Sequence, residues 1–283
     1  MPSVLEILKK TTDFLSGKGV ESARLNGELI VGHALGLKRM QLYMQFERLL
    51  TESELDKIRP LVRRRSQREP VQYILGEMDF GGLKLKVDRR ALIPRPETEL
   101  LVEIVVGLCA VPPARVLDLG TGSGAIALAL AKAFPSAQVT AVDVSDEALE
   151  LAGENASSCG LGERVRWLKS SWFSSLPQED IFDLIVGNPP YLSAEETAAT
   201  TPEVRGHEPA GALTAAAGGL ADLRTIIDGA RARMVPGGLL ALETGITQHA
   251  TLTEHAREMG FPKVESRQDF TRRDRFLLAW STG

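Results

Sequence analysis

Cysteine is nearly absent: only Cys109 and Cys159 occur in 283 residues, far apart and in none of the spacings that metal sites or redox motifs use. They read as plain reduced thiols of a reducing compartment. There is no Ser/His/Asp constellation and no metal-spaced cluster of His, Cys, Asp or Glu, so triad hydrolysis and metal-assisted chemistry have nothing to rest on. An excess of positive charge is also missing. The 33 Lys and Arg are outnumbered by 37 Asp and Glu, for a formal net charge of -4, and the chain is no polycation for wrapping nucleic acid, although a local basic face remains possible. No apolar run reaches the roughly 18 to 20 residues that cross a bilayer, and no basic, apolar leader opens the sequence. A cytoplasmic protein without a membrane partner is expected. Internal repeats and low-complexity tracts are absent too.

What is present is ordinary for a soluble globular protein, 43% hydrophobic and 25% charged, at a length that divides more comfortably into a small and a large domain than into one core. Residues 1–68 read as a helical domain. Apolar positions recur at helical spacing from Val4 to Leu15 and from Leu25 to Leu37, with His33 on the second stripe as a core or boundary histidine. Thr51 to Glu54 is a capping box opening a third helix, in which Pro60 should cause a kink or a stop. That helix carries Lys57, Arg59, Arg63, Arg64, Arg65 and Arg68, which suit either a solvated face beside an acidic neighbour or contact with RNA or an acidic protein. Residues 69–93 read as a linker built around a hairpin, with Gly81-Gly82 as its turn. A helix from about Glu97 to Leu108 follows, entered through prolines with Thr98 as its cap; Arg95 either belongs to this turn or lines a cleft.

Residues 94–283 form the large domain, in which strands alternate with helices, as in a mostly parallel sheet. Strands are expected near 116–119, 139–142, 164–168, 182–187, 238–243, 263–267 and 275–280, with Ala194 to Ala217 as a long loop over the site. Between the first strand and its helix lies Asp118-x-Gly120-Thr121-Gly122-Ser123-Gly124, where glycines let a ligand approach the backbone. Such a loop alone is a weak signal, because several nucleotide cofactors use cousins of it. Asp143 ends the next strand, where a carboxylate can accept from two ribose hydroxyls. An uncharged loop behind an acidic residue disfavours pyrophosphate and suits a nucleoside with an amino-acid tail, whose cationic end Asp118 would border. The fourth strand runs into Asn188-Pro189-Pro190-Tyr191, a short rigid segment that has lost two backbone donors and offers mostly acceptors and an aromatic. It suits a substrate with N–H bonds to donate.

Together the loop and the tetrapeptide resemble the class I S-adenosylmethionine-dependent methyltransferases that act on planar nitrogen. Pro70 to Gly76, Ile93 to Glu99, Val116 to Gly124, Ser171-Trp172-Phe173, Asn188 to Tyr191 and Val204 to Pro209 extend the match over nearly the whole chain, which resembles the release factor glutamine methyltransferase family of the PrmC or HemK type. The resemblance implies an α/β fold with a seven-stranded Rossmann-like sheet, a small helical amino-terminal domain and a joining β-hairpin. It implies S-adenosylmethionine as methyl donor and, as protein partner, peptide-chain release factors, methylated on the glutamine of their Gly-Gly-Gln motif; a monomer is expected. Gly120 to Gly124 would surround the methionine part, Asp143 the ribose and Trp172 the adenine, while Asn188 to Tyr191 would grip the glutamine, with Asn188 near the transferred methyl. Glu208 and Pro209 would shape the pocket. Asp269 to Arg275 and Glu243-Thr244-Gly245 depart from the family's usual form, both away from the methyl.

A carboxamide nitrogen is a poor nucleophile because its lone pair is spread into the carbonyl. Acceptors on both N–H bonds, the Asn188 side-chain oxygen and the Pro189 carbonyl, would hold it and let positive charge develop, with Tyr191 against the flat amide. A ribosomal-protein glutamine methyltransferase would share this chemistry, and an adenine exocyclic-amine DNA methyltransferase could share the tetrapeptide. An inactive S-adenosylmethionine-binding module would not need an intact Asn-Pro-Pro-Tyr, and a nicotinamide-dependent oxidoreductase would need a differently spaced third glycine.

Overall fold

The computed structural model describes residues 1–282; residue 283, the last of the expected large domain, lies outside the described residues. Two compact units emerge, one of Met1–Glu77 with Thr201–His207, the other of Met78–Thr200 with the residues from Glu208 onward.

In the first unit, helices Val4–Gly17, Ala23–Leu35 and Glu52–Ser66 bury Val4, Leu8, Val31, Leu55 and Ile58 together. The Thr51 capping box forms as expected. Its helix runs through Pro60 without stopping, because Leu55 and Ile58 before the proline and Leu61 and Val62 after it all pack inward and offset the lost hydrogen bond. Two expectations need correction. His33 is exposed, since the buried face of its helix is centred on Asn26, Gly27, Ile30 and Val31. The basic helix is solvated at Lys57, Arg59 and Arg63, with Arg59 paired to Glu52 and Asp56, but not at its end: Arg65 is only 5% exposed and donates to Asn26 Oδ1 at 2.7 Å and to Glu203 at 2.8 Å. Arg68 shares Glu203, and Arg64 pairs with Glu69. The segment Val71–Leu75, placed in the linker by its sequence, is a short helix between Pro70 and a left-handed Gly76.

From Met78 onward in the second unit, β1 (Glu77–Phe80, its first residue the last of the first unit's main segment) and β2 (Leu83–Lys86) form a two-stranded sheet that buries Phe80 and Leu85 in the main core. Asn155, fully buried, accepts from Lys86 N at 2.7 Å and donates to Lys86 O and to Ser123 O, tying this ribbon to the glycine loop. The large sheet contains β3 (Arg115–Leu119), β4 (Gln138–Asp143), β5 (Val165–Lys169), β6 (Phe182–Gly187), β7 (Met234–Glu243), β8 (Lys263–Gln268) and β9 (Asp274–Trp280), in the order β5-β4-β3-β6-β7-β9-β8. Only β9 runs against its neighbours. Both faces are buried: Val116, Leu184 and Val186 point into one cluster, Leu117, Leu119 and Ile185 into the other, which explains why these strands read as continuous apolar runs.

The strand order reverses between β3 and β6, and at such a switch point the loops after the two strands diverge and leave a crevice. Leu119 pairs with Gly187 and with Val142, so the loops beginning at Gly120, Asp143 and Asn188 leave the sheet side by side. The stretch expected as one long loop instead holds helices Ala194–Ala199 and Pro202–His207 and a 3-10 turn at Ala210–Ala212. Ser193 and Glu196 make a capping box, and Pro202 occupies a first-turn position where its missing N–H is harmless.

A Cβ on Gly187 would lie 2.8 Å from the Leu119 carbonyl oxygen and 3.3 Å from the Leu119 Cβ. Gly187→Ala should therefore cost about 1–3 kcal/mol in urea unfolding; an unchanged midpoint would show that the β3–β6 junction is looser than described.

Candidate functional site

A cavity of about 380 Å³ opens at this crevice, within the usual range for small-ligand sites. Gly120, Thr121, Gly122, Ser123, Asp143, Trp172, Asn188 and Pro190 all line it, as do Ala91, Pro94, Thr98 and Pro209. Of the residues singled out from the sequence for the ligand, Asp118, Gly124, Pro189 and Tyr191 do not line it. Gly124 is nevertheless required: its φ is +83°, and a Cβ there would meet Ala152 at 3.1 Å and Trp167 at 3.2 Å, so it sets how closely the following helix packs.

On the glycine-loop side, Asp118 is fully buried. Its Oδ2 accepts from Thr121 Oγ1 at 2.6 Å and from Ala127 N at 3.1 Å, while Oδ1 has no partner. Burial pushes this carboxyl from 3.8 up to about 7, the Thr121 and Ala127 bonds opposing the rise and the Asp143 charge adding to it. Asp143 accepts from Gly122 N at 2.9 Å and Ser145 N at 3.0 Å; Ser145 in turn caps the helix Asp146–Ser158. Trp172 holds a left-handed φ of 50°, which lays its ring beside Gly120, while its indole nitrogen donates to Asp222 at 3.2 Å. A non-glycine residue in this region is uncommon and costs of order 1–3 kcal/mol, so the surrounding contacts hold the ring in place.

The opposite wall is built around Asn188, whose side-chain nitrogen donates to Thr98 Oγ1 at 3.0 Å. Thr98 donates to Glu243 Oε2 at 2.7 Å, and Glu243 Oε1 accepts from the Tyr191 hydroxyl at 3.0 Å. Thr98 does not cap its helix: Arg95 is the N-cap of Pro96–Leu108, with proline in the first turn. Glu243, the final residue of β7, is 1% exposed, and burial raises its carboxyl pKa against the pull of the Thr98 and Tyr191 bonds. Burial and the Glu243 charge likewise push the Tyr191 phenol up, and Arg275 stands over its ring at 5.7 Å. Gln248 donates to the Tyr191 carbonyl at 2.8 Å. Arg95 pairs with the buried Glu208 at 2.6 Å, and Glu208 also accepts from Ile93 N, which fastens the Pro94 rim to the Pro209 rim.

Sequence reasoning missed Thr98 and Glu243 as members of this cluster. Glu243 was read as peripheral, but it is two hydrogen bonds from Asn188. An acidic residue ending an otherwise apolar strand beside the switch point was the available signal. The lining suits a nucleoside: the Asp143 carboxylate, the left-handed Gly120 and Gly122 and the Trp172 ring as an aromatic wall, with the unpartnered Asp118 oxygen buried behind the glycine loop. Among the described residues no group of His, Cys, Asp and Glu could hold a metal.

Two family models match the chain, the PrmC N-terminal domain over residues 6–76 and the methyltransferase small domain over 96–205. A release factor glutamine methyltransferase of Chlorobaculum tepidum is 42% identical, the match covering 97% of this chain and 96% of that one. The protein of that name from Vibrio cholerae is 40% identical over 96% and 94%. Among solved structures, a methyltransferase from Pyrococcus furiosus covers 71% of this chain and 90% of its own, with a TM-score of 0.55 at 21% identity. A 16S rRNA N2 G1207 methyltransferase of T. Thermophilus in complex with AdoMet and guanosine covers 72% and 49%, with a TM-score of 0.54 at 21% identity. At these identities the two structures speak for the fold.

Between about pH 4 and pH 7 the folded chain holds a proton on Asp118 that the unfolded chain has released, so this stabilisation is full below 3.8 and lost as the pH rises through about 7. Asp118→Asn removes the titration. The melting temperature of the cofactor-free variant, relative to the native protein, should climb as pH is raised from about 4 to about 8, and a flat difference would contradict the buried-carboxyl reading.

Proposed function

Because the chain belongs to the release factor glutamine methyltransferase family, we propose that it transfers a methyl group from S-adenosylmethionine to the side-chain amide nitrogen of the glutamine in the Gly-Gly-Gln motif of peptide-chain release factors. The observation that carries this reading is the Asn188 carboxamide at the carboxyl end of β6. Its nitrogen is committed to Thr98, which leaves its oxygen as an acceptor on the wall of the cavity.

Gly120 to Gly124 would take the methionine part of the cofactor, with Asp118 bordering its cationic end from behind the loop, Asp143 the ribose and Trp172 the adenine. When bound, S-adenosylmethionine supplies a methyl already activated by the sulfonium charge, so the chain needs neither a nucleophile nor a strong base. Asn188 Oδ1 and the Pro189 carbonyl take the two N–H bonds of the acceptor amide, fixing the nitrogen and favouring the positive charge that develops on it. Tyr191, held by Glu243 behind the cavity wall, would lie beside the flat amide and help keep water away. Proximity supplies much of the remaining rate, and the proton leaves after transfer. No helix among the described residues is long and apolar enough to cross a membrane; a release-factor substrate would be met in the cytoplasm. The amino-terminal helical unit is the part we assign to target choice.

Labelled S-adenosylmethionine offered together with a purified release factor, a mixture of ribosomal proteins and DNA distinguishes the substrates. Label should enter the release factor; label confined to ribosomal protein or to DNA would overturn the assignment. Asn188→Ala should lower transfer by about 10²–10³-fold while leaving cofactor affinity within about twofold. A variant turning over near the native rate would remove the amide grip from the mechanism.

A further inference from the structure

A carboxamide turned over end for end keeps its shape, but only one orientation of Asn188 is useful: an oxygen toward the acceptor amide holds the incoming N–H, whereas an NH2 repels it. We propose that Thr98 and Glu243 are positioning residues that decide this orientation. The inference rests on the function assigned above and adds two residues to it.

The Thr98 hydroxyl has a single hydrogen, and Glu243 Oε2 takes it at 2.7 Å. With both oxygens accepting from hydroxyls, which favours the ionised form against the pull of burial, Glu243 accepts and does not donate. Thr98 Oγ1 therefore has only lone pairs left for Asn188 at 3.0 Å, and only the nitrogen end of the carboxamide can satisfy them. The oxygen end is turned toward the cavity. Glu243 Oε1 meanwhile accepts from the Tyr191 hydroxyl at 3.0 Å, so one carboxylate fixes both the amide grip and the ring beside it. Thr98 is 4% and Glu243 1% exposed. In such a dry setting a reversed donor has no water to turn to, and a buried network of this kind holds one arrangement. The three elements involved, helix Pro96–Leu108 and the ends of β6 and β7, are joined here by side chains distant in sequence.

Thr98→Val keeps the shape and removes both bonds. Thr98→Ser keeps the hydroxyl. Glu243→Gln keeps the shape but introduces an amide nitrogen, which frees the Thr98 hydrogen or disturbs the Tyr191 hydroxyl. With the acceptor that the native enzyme methylates, kcat should fall by about 10²-fold in Thr98→Val and in Glu243→Gln, cofactor KM should stay within about twofold, and Thr98→Ser should remain within about threefold of native. Thermal unfolding checks that each variant is folded. If Thr98→Val does not fold, Glu243→Gln and Thr98→Ser carry the comparison. Orientation is also read without turnover: the Asn188 side-chain NH2 protons, assigned by their loss in Asn188→Ala, should show a nuclear Overhauser contact to the Thr98 methyl that weakens in Glu243→Gln. A folded Glu243→Gln at native kcat, a folded Thr98→Ser as impaired as Thr98→Val, or absence of that contact in the native protein would overturn the proposal. A native enzyme that leaves the release factor unmethylated would instead overturn the assigned substrate, while the NMR contact still judges the positioning.

Discussion

A carboxylate with almost no access to water costs several kcal/mol unless its oxygens are engaged, and Glu243 meets that demand with two hydroxyls. One comes from the helix that follows the Pro94–Pro96 turn, the other from Tyr191 beyond the end of β6. The desolvation of this one group thus constrains the wall of the cavity. Thr98 and Tyr191 cannot drift without leaving a buried charge short of a partner, and Asn188 is drawn into register through Thr98. In a folded state of marginal net stability, a penalty of that size holds the site in place.

The glycine-loop side is arranged on the opposite principle. Asp118 is left one partner short and carries a raised pKa. Asp143 is occupied by backbone N–H groups of Gly122 and Ser145, and so is oriented before any ligand arrives. Asn155 binds the β1–β2 ribbon to Ser123, which steadies the loop from outside the cavity. One side is fully hydrogen-bonded; the other leaves one buried oxygen, Asp118 Oδ1, without a partner.

Much of this was legible in the sequence. Apolar runs ending at Leu119, Val142 and Gly187 marked the central strands, and the loops following them carry the glycines, Asp143 and Asn188 that line the cavity. These features are local: a strand, a turn and its chemistry lie within ten residues of one another. The Thr98–Glu243 bond joins residues 145 apart, and nothing in either neighbourhood announces the other. The helix carrying Arg65 shows the same limit. Counting charges left a solvated face or a contact with an acidic partner as the choices for the whole set, but Asn26 and Glu203, distant in sequence, take Arg65 inside. The short helices between Ala194 and Ala212 were hidden because segments of fewer than two turns give too few periods to stand out from an alanine-rich loop. His33 misled for a related reason, since an apolar stripe read one position off rotates the buried face.

The central claim is that the end of β6 presents acceptors to a planar amide nitrogen. Its most direct test is tandem mass spectrometry of the release factor after reaction, locating the methyl within the modified peptide. The account predicts a methyl on the side-chain nitrogen of the glutamine in Gly-Gly-Gln and on no other residue. A methyl found on a lysine, an arginine, a carboxylate or the backbone would contradict it.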